Sequence, residues 1–230
     1  MSSEVSSLAG TQALGNLVVI YDDNRISIEG DTHLSFTEDV SARYRAYGWH
    51  VQNVDTLPTG DVDVVALDRA MQEAKSTTDR PSFIHLHSVI AWPAPNAQGK
   101  AKAHGSALGD GEVAALKSAL GLDPTLAFQM PDEVLAHARE VKMRGAALHA
   151  EWQIRFAKWQ LENPDSDSLL TRLKSRALPA DLAQALPTFA ADSSISTRKA
   201  SGDVIQKIAA LMPEFWGWFG RFGRKQQHHN

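Results

Sequence analysis

Gly15-Asn16-Leu17-Val18-Val19-Ile20-Tyr21-Asp22-Asp23-Asn24 decides the fold. Leu17 to Tyr21 is an apolar run without alternation, opened by Gly-Asn and closed by Asp-Asp-Asn. Such a run reads as a strand buried on both faces, the habit of parallel sheets. Downstream, Ser35-Phe36-Thr37-Glu38 fits a capping box that starts a helix with Val40, Tyr44 and Tyr47 on its apolar face and Gly48 as its stop. His50–Val54 is a short second run. Val64, Leu67, Met71 and Ala74 recur at helical spacing, and Pro81 precedes a strand expected over Phe83–Ile90. The order β-α-β-α-β predicts an α/β fold: a parallel sheet, here a partial one, with crossover helices.

Ligands of such sheets gather at the carboxyl ends of the strands. Asp22-Asp23-Asn24 stands at one such end, and the irregular loop from Ala91 to Gly109 follows another. Beyond it the pattern turns helical. Asp110 is expected to cap a short helix bearing Val113, Leu116 and Leu120. A long helix is expected from Asp132 to about Leu161, with Val134, Ala138, Val141, Leu148, Trp152 and Trp159 on one stripe. Asn163-Pro164 ends it. Residues 165–192 read as linker with short helical pieces, and a last helix runs from about Ser196 through Val204, Ile208 and Leu211.

The 230 residues carry 43% hydrophobic and 22% charged side chains, as ordinary soluble proteins do. A formal charge of −4 disfavours a nucleic-acid partner held by bulk charge. With no cysteine there are no disulfides, thiolate nucleophiles or thiolate metal sites. No apolar run approaches the roughly 20 residues of a membrane span, and Met1-Ser2-Ser3-Glu4 lacks signal-peptide features. A cytoplasmic, soluble chain is expected.

Few residues invite chemistry on spacing alone. Asp22-Asp23-Asn24 offers hard oxygens suited to Mg²⁺, but also forms an ordinary turn, which spacing alone favours. His85 and His87, two apart on a strand, share a face and could be a metal pair; a half-exposed pair is the preferred reading. His104 sits in the irregular loop, where an imidazole can bind phosphate or shuttle protons, and an ordinary loop histidine fits equally. Arg198-Lys199 could meet an anion, with a solvated basic pair as the default. Hydrolase, Walker and dinucleotide fingerprints are absent.

Taken together, the segments resemble transketolase. The resemblance is carried by Ser2-Ser3-Glu4-Val5-Ser6-Ser7-Leu8-Ala9-Gly10, Leu14-Gly15-Asn16-Leu17 and Tyr21-Asp22-Asp23-Asn24-Arg25-Ile26-Ser27-Ile28-Glu29-Gly30. It continues through Tyr47-Gly48-Trp49, Pro93-Ala94-Pro95-Asn96, His104-Gly105-Ser106-Ala107-Leu108-Gly109 and Pro131-Asp132-Glu133-Val134, and resumes at Thr197-Arg198-Lys199-Ala200-Ser201. It implies thiamine diphosphate and Mg²⁺ as cofactors, and transfer of a two-carbon ketol unit from a ketose phosphate to an aldose phosphate, in the pentose phosphate pathway. Asn24 would supply Mg²⁺ with a side-chain oxygen and Ile26 with a backbone carbonyl. His104 would touch cofactor and substrate, as the catalytic histidine, and Arg198 would grip the sugar phosphate. Glu4 resembles a glutamate buried at the dimer interface, and a homodimer is implied. Gly109-Asp110-Gly111 is not the family's metal motif, which lies upstream of its Asn; a helix cap explains it.

The resemblance also implies boundaries: residues 1–130 as the C-terminal part of the diphosphate-binding domain, 131–192 as a helical linker, 193–217 as the start of the pyrimidine-binding domain, and 218–230 as a non-family tail. Back-translated after Gly217 and read one base later, that tail is compatible with Gly-Ser-Ala-Asp-Leu-Ala-Gly-Ser-Asn-Asn-Thr-Thr, so a frameshift is expected there. Met1 stands where the family has Val or Ile, as an internal start would. The expectation is a fragment, truncated at both ends, that is inactive alone. The alternative is a non-catalytic module that docks onto a full-length transketolase.

Overall fold

The computed structural model describes residues 2–215. Met1, the expected internal start, and the tail with its expected frameshift after Gly217 lie outside the described residues. Two compact units divide at Asp132.

The first unit is α/β. Helix α1 (Ser2–Thr11) leads into β1 (Val18–Asp23), followed by α2 (Val40–Ala46), β2 (His50–Val54), α3 (Val64–Ser76), β3 (Ser82–His87) and α4 (Asp110–Ala119). The three strands form one sheet in the order β1-β3-β2, with both pairings parallel. Helix α1 lies in a segment that contributes to the family resemblance but for which the sequence pattern gives no helix.

Alternation along the strands builds two different faces. Val19 and Tyr21 of β1, Val51 of β2 and Phe83 of β3 pack with Ala9, Trp49 and Tyr44 under α1 and α2. The Tyr44 and Phe83 rings stack at 3.8 Å, and the Trp49 indole N–H donates to the Ser6 carbonyl at 2.8 Å, tying α1 to the sheet. On the opposite face α3 packs on β2 and β3, where Val54, Ala70, Ala74 and Ile84 form the second core cluster. α3 does not reach β1 with its buried face, so Val18 and Ile20 are 38% and 44% exposed. The expectation of a first strand buried on both faces is therefore corrected: β1 is an edge strand covered on one side.

Several boundaries also differ. β1 continues through Asp22 and Asp23 rather than turning there, and β3 stops at His87 instead of Ile90. The expected capping box does not form. Asp39 caps α2, its carboxylate accepting the Ala42 N–H at 2.9 Å, while Ser35 closes a 3-10 turn over Thr32–Leu34. Gly48 does follow α2 in a left-handed conformation, φ 83°. The face of α3 shifts as well: Ala70 and Ala74 are buried, whereas Val64 and Met71 are exposed. Gly109, with φ 89°, is the N-cap of α4, and Asp110 is its first residue rather than its cap.

Two glycines set close approaches. A Cβ on Gly10 would stand 1.8 Å from the Tyr47 carbonyl oxygen, and one on Gly15 would stand 1.9 Å from that of Thr78.

The second unit contains α5 (Asp132–Glu162), α6 (Pro164–Ser175), α7 (Leu182–Ala185) and α8 (Thr197–Leu211). Asn163-Pro164 ends one helix and starts the next, with Pro164 in the first turn, where its missing N–H costs nothing. The apolar stripe of α5 is not buried: Val134, Val141, Leu148 and Trp152 are exposed. Trp152, Phe156 and Trp159 instead stack on one another along the helix, at 4.8 and 5.6 Å. Ser196 caps α8, accepting the Lys199 N–H.

Candidate functional site

The polar end of the sheet follows from its register. Residues opposite one another in a parallel ladder share a face: Val19 with Phe83, Tyr21 with His85, and Asp23 with His87, while Asn53 of β2 lies beside His85. The face that is apolar under α1 thus turns polar toward the carboxyl ends. There Asp23, His85 and His87 offer one ligand atom each, all within 4.8 Å of one another. His85 Nε2 lies 2.9 Å from Asp23 Oδ2, and His87 Nε2 lies 3.8 Å from the same oxygen. His85 is only 8% exposed, which corrects the half-exposed reading for that member of the pair, while His87 is half-buried. Its Nδ1 meets Ser41 Oγ of α2 at 2.8 Å. The three residues line a cavity of about 650 Å³ that also borders Arg25, Asp31 and Asn53.

Asn24 begins the turn after β1. Its Oδ1 accepts the Ile26 N–H at 3.0 Å, and Arg25 between them takes a left-handed conformation, φ 60°. The returning backbone bonds on either side of Ile26: Thr32 N–H to the Arg25 carbonyl at 3.0 Å, and Ser27 N–H to the Gly30 carbonyl at 2.7 Å. Among the described residues the Ile26 carbonyl accepts no hydrogen bond. Asn24 Oδ1 keeps a second lone pair. Two hard neutral oxygens are therefore available in one tight turn, a donor set that fits Mg²⁺.

His104 ends a 3-10 turn over Ala101–His104 and is exposed. No hydrogen bond, ion pair or ring contact among the described residues joins it to Asn24 or Ile26. Arg198 lies in the first turn of α8, in the second unit, also exposed. Glu4 is on the exposed side of α1 in the single chain. The structure thus brings together Asn24 and Ile26, and leaves His104 and Arg198 on separate elements. The long loop is nevertheless anchored: Glu112 of α4 accepts the N–H groups of Asn96 and Ala97 at 2.7 and 2.8 Å, and the Asn96 side-chain amide at 2.9 Å.

Spacing suggested a metal pair at His85 and His87 but not its third member. The signal was present in the parallel order of strands, which places the last acid of β1 beside the last histidine of β3.

The family model for the transketolase thiamine diphosphate-binding domain matches residues 1–179. The chain belongs to the transketolase family. Transketolase of Mycobacterium tuberculosis is 47% identical over 218 residues, covering 94% of this chain and 31% of that protein. Transketolase-1, chloroplastic, of Arabidopsis thaliana is 39% identical, covering 94% of this chain and 29% of its own length. Among solved structures, a Pichia stipitis transketolase in complex with sedoheptulose-7-phosphate aligns with TM-score 0.79 at 38% identity, over 93% of this chain and 31% of that one. Transketolase from Leishmania mexicana aligns with TM-score 0.78 at 36% identity, over 91% and 30% of the two chains. The chain spans about a third of the length of these relatives, all of a transferase family. No helix among the described residues is long and apolar enough to cross a membrane.

Proposed function

We propose that this chain is the diphosphate-binding part of a cytoplasmic transketolase, a homodimer in its intact form, that moves a two-carbon ketol unit from a ketose phosphate to an aldose phosphate in the pentose phosphate pathway. The observation that carries this reading is the Asn24–Ile26 turn, which leaves two hard oxygens available at the end of a parallel strand, in a chain matched by a thiamine diphosphate-binding family. We assign residues 1–130 to the diphosphate-binding domain, 131–192 to a helical linker and 193–217 to the start of the pyrimidine-binding domain.

In this reading Asn24 Oδ1 and the Ile26 carbonyl would hold Mg²⁺, a hard cation that would in turn draw the diphosphate to the strand end. Thiamine diphosphate, when bound, supplies the chemistry of breaking and making the carbon–carbon bond. His104, on a loop fixed through Glu112, contacts cofactor and substrate and can hold or pass a proton at a ring nitrogen. The Arg198 guanidinium presents a planar fork to the sugar phosphate. Two neutral oxygens are a meagre site, so the 230-residue chain alone binds thiamine diphosphate and Mg²⁺ weakly and is inactive.

The test is a chimera in which residues 1–217 replace the matching segment of Pichia stipitis transketolase. Mg²⁺-dependent binding of thiamine diphosphate and ketol transfer are expected, with both lost in Asn24→Ala. A folded chimera that binds no thiamine diphosphate overturns the reading. Micromolar binding by the isolated chain in a calorimetric titration overturns the claim that it binds thiamine diphosphate and Mg²⁺ only weakly alone.

A further inference from the structure

At the carboxyl end of the sheet three groups able to ligate a metal converge, one atom from each lying within 4.8 Å of the others. Asn53 presents Oδ1 to Ser41, so the Ser41 hydroxyl donates there, at 2.7 Å. The Ser41 oxygen is then the acceptor for His85, 2.8 Å away, which places the proton of the neutral ring on Nδ1 and a lone pair on Nε2. That lone pair faces Asp23 Oδ2 at 2.9 Å. His87 repeats the arrangement. Its Nδ1 stands 2.7 Å from the Asp55 carboxylate, which only accepts, so Nε2 carries a lone pair 3.8 Å from the same Asp23 oxygen. With both rings neutral in these tautomers, two imidazole lone pairs and a carboxylate oxygen face one another, an arrangement that a bound cation would neutralise.

We propose that Asp23, His85 and His87 bind one divalent ion of the borderline transition-metal class, represented by Zn²⁺. Two imidazoles and one carboxylate select such an ion over Mg²⁺ or Ca²⁺, which take oxygen. Ligands about 2.05 Å from a tetrahedral Zn²⁺ stand about 3.3 Å apart. The observed separations from Asp23 Oδ2, 2.9 and 3.8 Å, bracket that value. Both rings already carry the outer-shell partner that fixes a ligating histidine, Ser41 for His85 and Asp55 for His87. The fourth position opens on the cavity, where water or a small ligand fits. Arg25 Nε, 4.0 Å from Asp23 Oδ2, is a competing cation on an exposed side chain, which can swing away. The site uses neither Asn24 nor Ile26, so it stands or falls separately from the diphosphate reading.

The experiment uses the full 230-residue chain without an added histidine tag, and with His228→Asn and His229→Asn so that the terminal pair cannot contribute. Co²⁺ is titrated at neutral pH, following the ligand-field absorption of a four-coordinate ion, and is then displaced by Zn²⁺. One equivalent is expected. His87→Gln, whose side chain is partly exposed and whose fold is checked by circular dichroism, weakens binding by at least about tenfold. His137→Gln and His149→Gln, on α5, leave it unchanged. If Co²⁺ and Zn²⁺ fail to bind the folded chain, the proposal is overturned. Binding that survives both His87→Gln and Asp23→Asn overturns it equally.

Discussion

Glu112, in the first turn of α4, accepts the backbone N–H of Asn96 at 2.7 Å, bridging from a helix to the far end of the loop that carries His104. The Asn96 side-chain amide, then the Asn96 and Ala97 backbone N–H groups, hold the Glu112 carboxyl below its ordinary value of 4.5. A depressed carboxylate stabilises the folded loop fully above that ordinary value, and the contribution disappears as pH falls through the lower folded value. Amide exchange at Asn96 and Ala97, relative to intrinsic rates, should rise about tenfold in Glu112→Ala, and in the parent protein under acid.

Tyr21 titrates in the opposite sense. Burial above all, and then the charge of Asp23 and a hydrogen bond to it, push the phenol above its ordinary value of 10.0. The raised group contributes stability that is complete below that value and lost as pH rises through the folded one. An ultraviolet difference titration should show a late midpoint, moved back toward the ordinary value in Asp23→Asn.

Phe83 is 1% exposed and stacks on Tyr44 against Trp49. Phe83→Ala should cost about 3–5 kcal/mol, as large truncations in packed cores do. Val18→Ala, on the uncovered side of β1, should stay within about 0.5 kcal/mol. Urea midpoints followed by tryptophan fluorescence distinguish the two.

Asp39→Ala should lose about 1 kcal/mol, the usual worth of an N-cap, because the Ala42 N–H is left without its acceptor. Ser35→Ala should lose less than about 0.5 kcal/mol. Equal losses at the two positions would return the helix start to Ser35.

What the sequence made legible was what local chemistry governs. The alternation of apolar runs with helical spacing up to Phe83 sufficed for a parallel α/β unit, although β1 is neither buried on both faces nor turned at Asp22-Asp23 as its own run predicts, and fixed motifs sufficed for the family. The capping-box reading at Ser35 missed Asp39, which precedes the same helix and becomes its cap only because of the path the chain takes after the 3-10 turn. The α3 face keeps Leu67 and Ala74 but takes Ala70 in place of Val64 and Met71, because close packing on the sheet prefers small residues where the backbones approach. The burial of His85 was illegible for another reason: it depends on β1, β2 and α2 together, elements up to 62 residues away in sequence. Asn24 and Ile26 came from the resemblance, since in spacing alone they are one more turn.

Gly10 and Gly15 work as mechanical stops. Each meets a carbonyl of another segment, Tyr47 and Thr78, backbone to backbone, with no side chain that could flex to absorb an error. The stretch between them is thereby gauged at both ends against the chain that follows α2 and α3, and it delivers β1 to the sheet at one height only. Because β1 is rigidly paired to β3, a displacement at those stops would reappear at the other end of the strand as a mismatch between Asp23 and His87. A side chain added at either glycine would thus be felt not only where it clashes but along the whole strand it introduces.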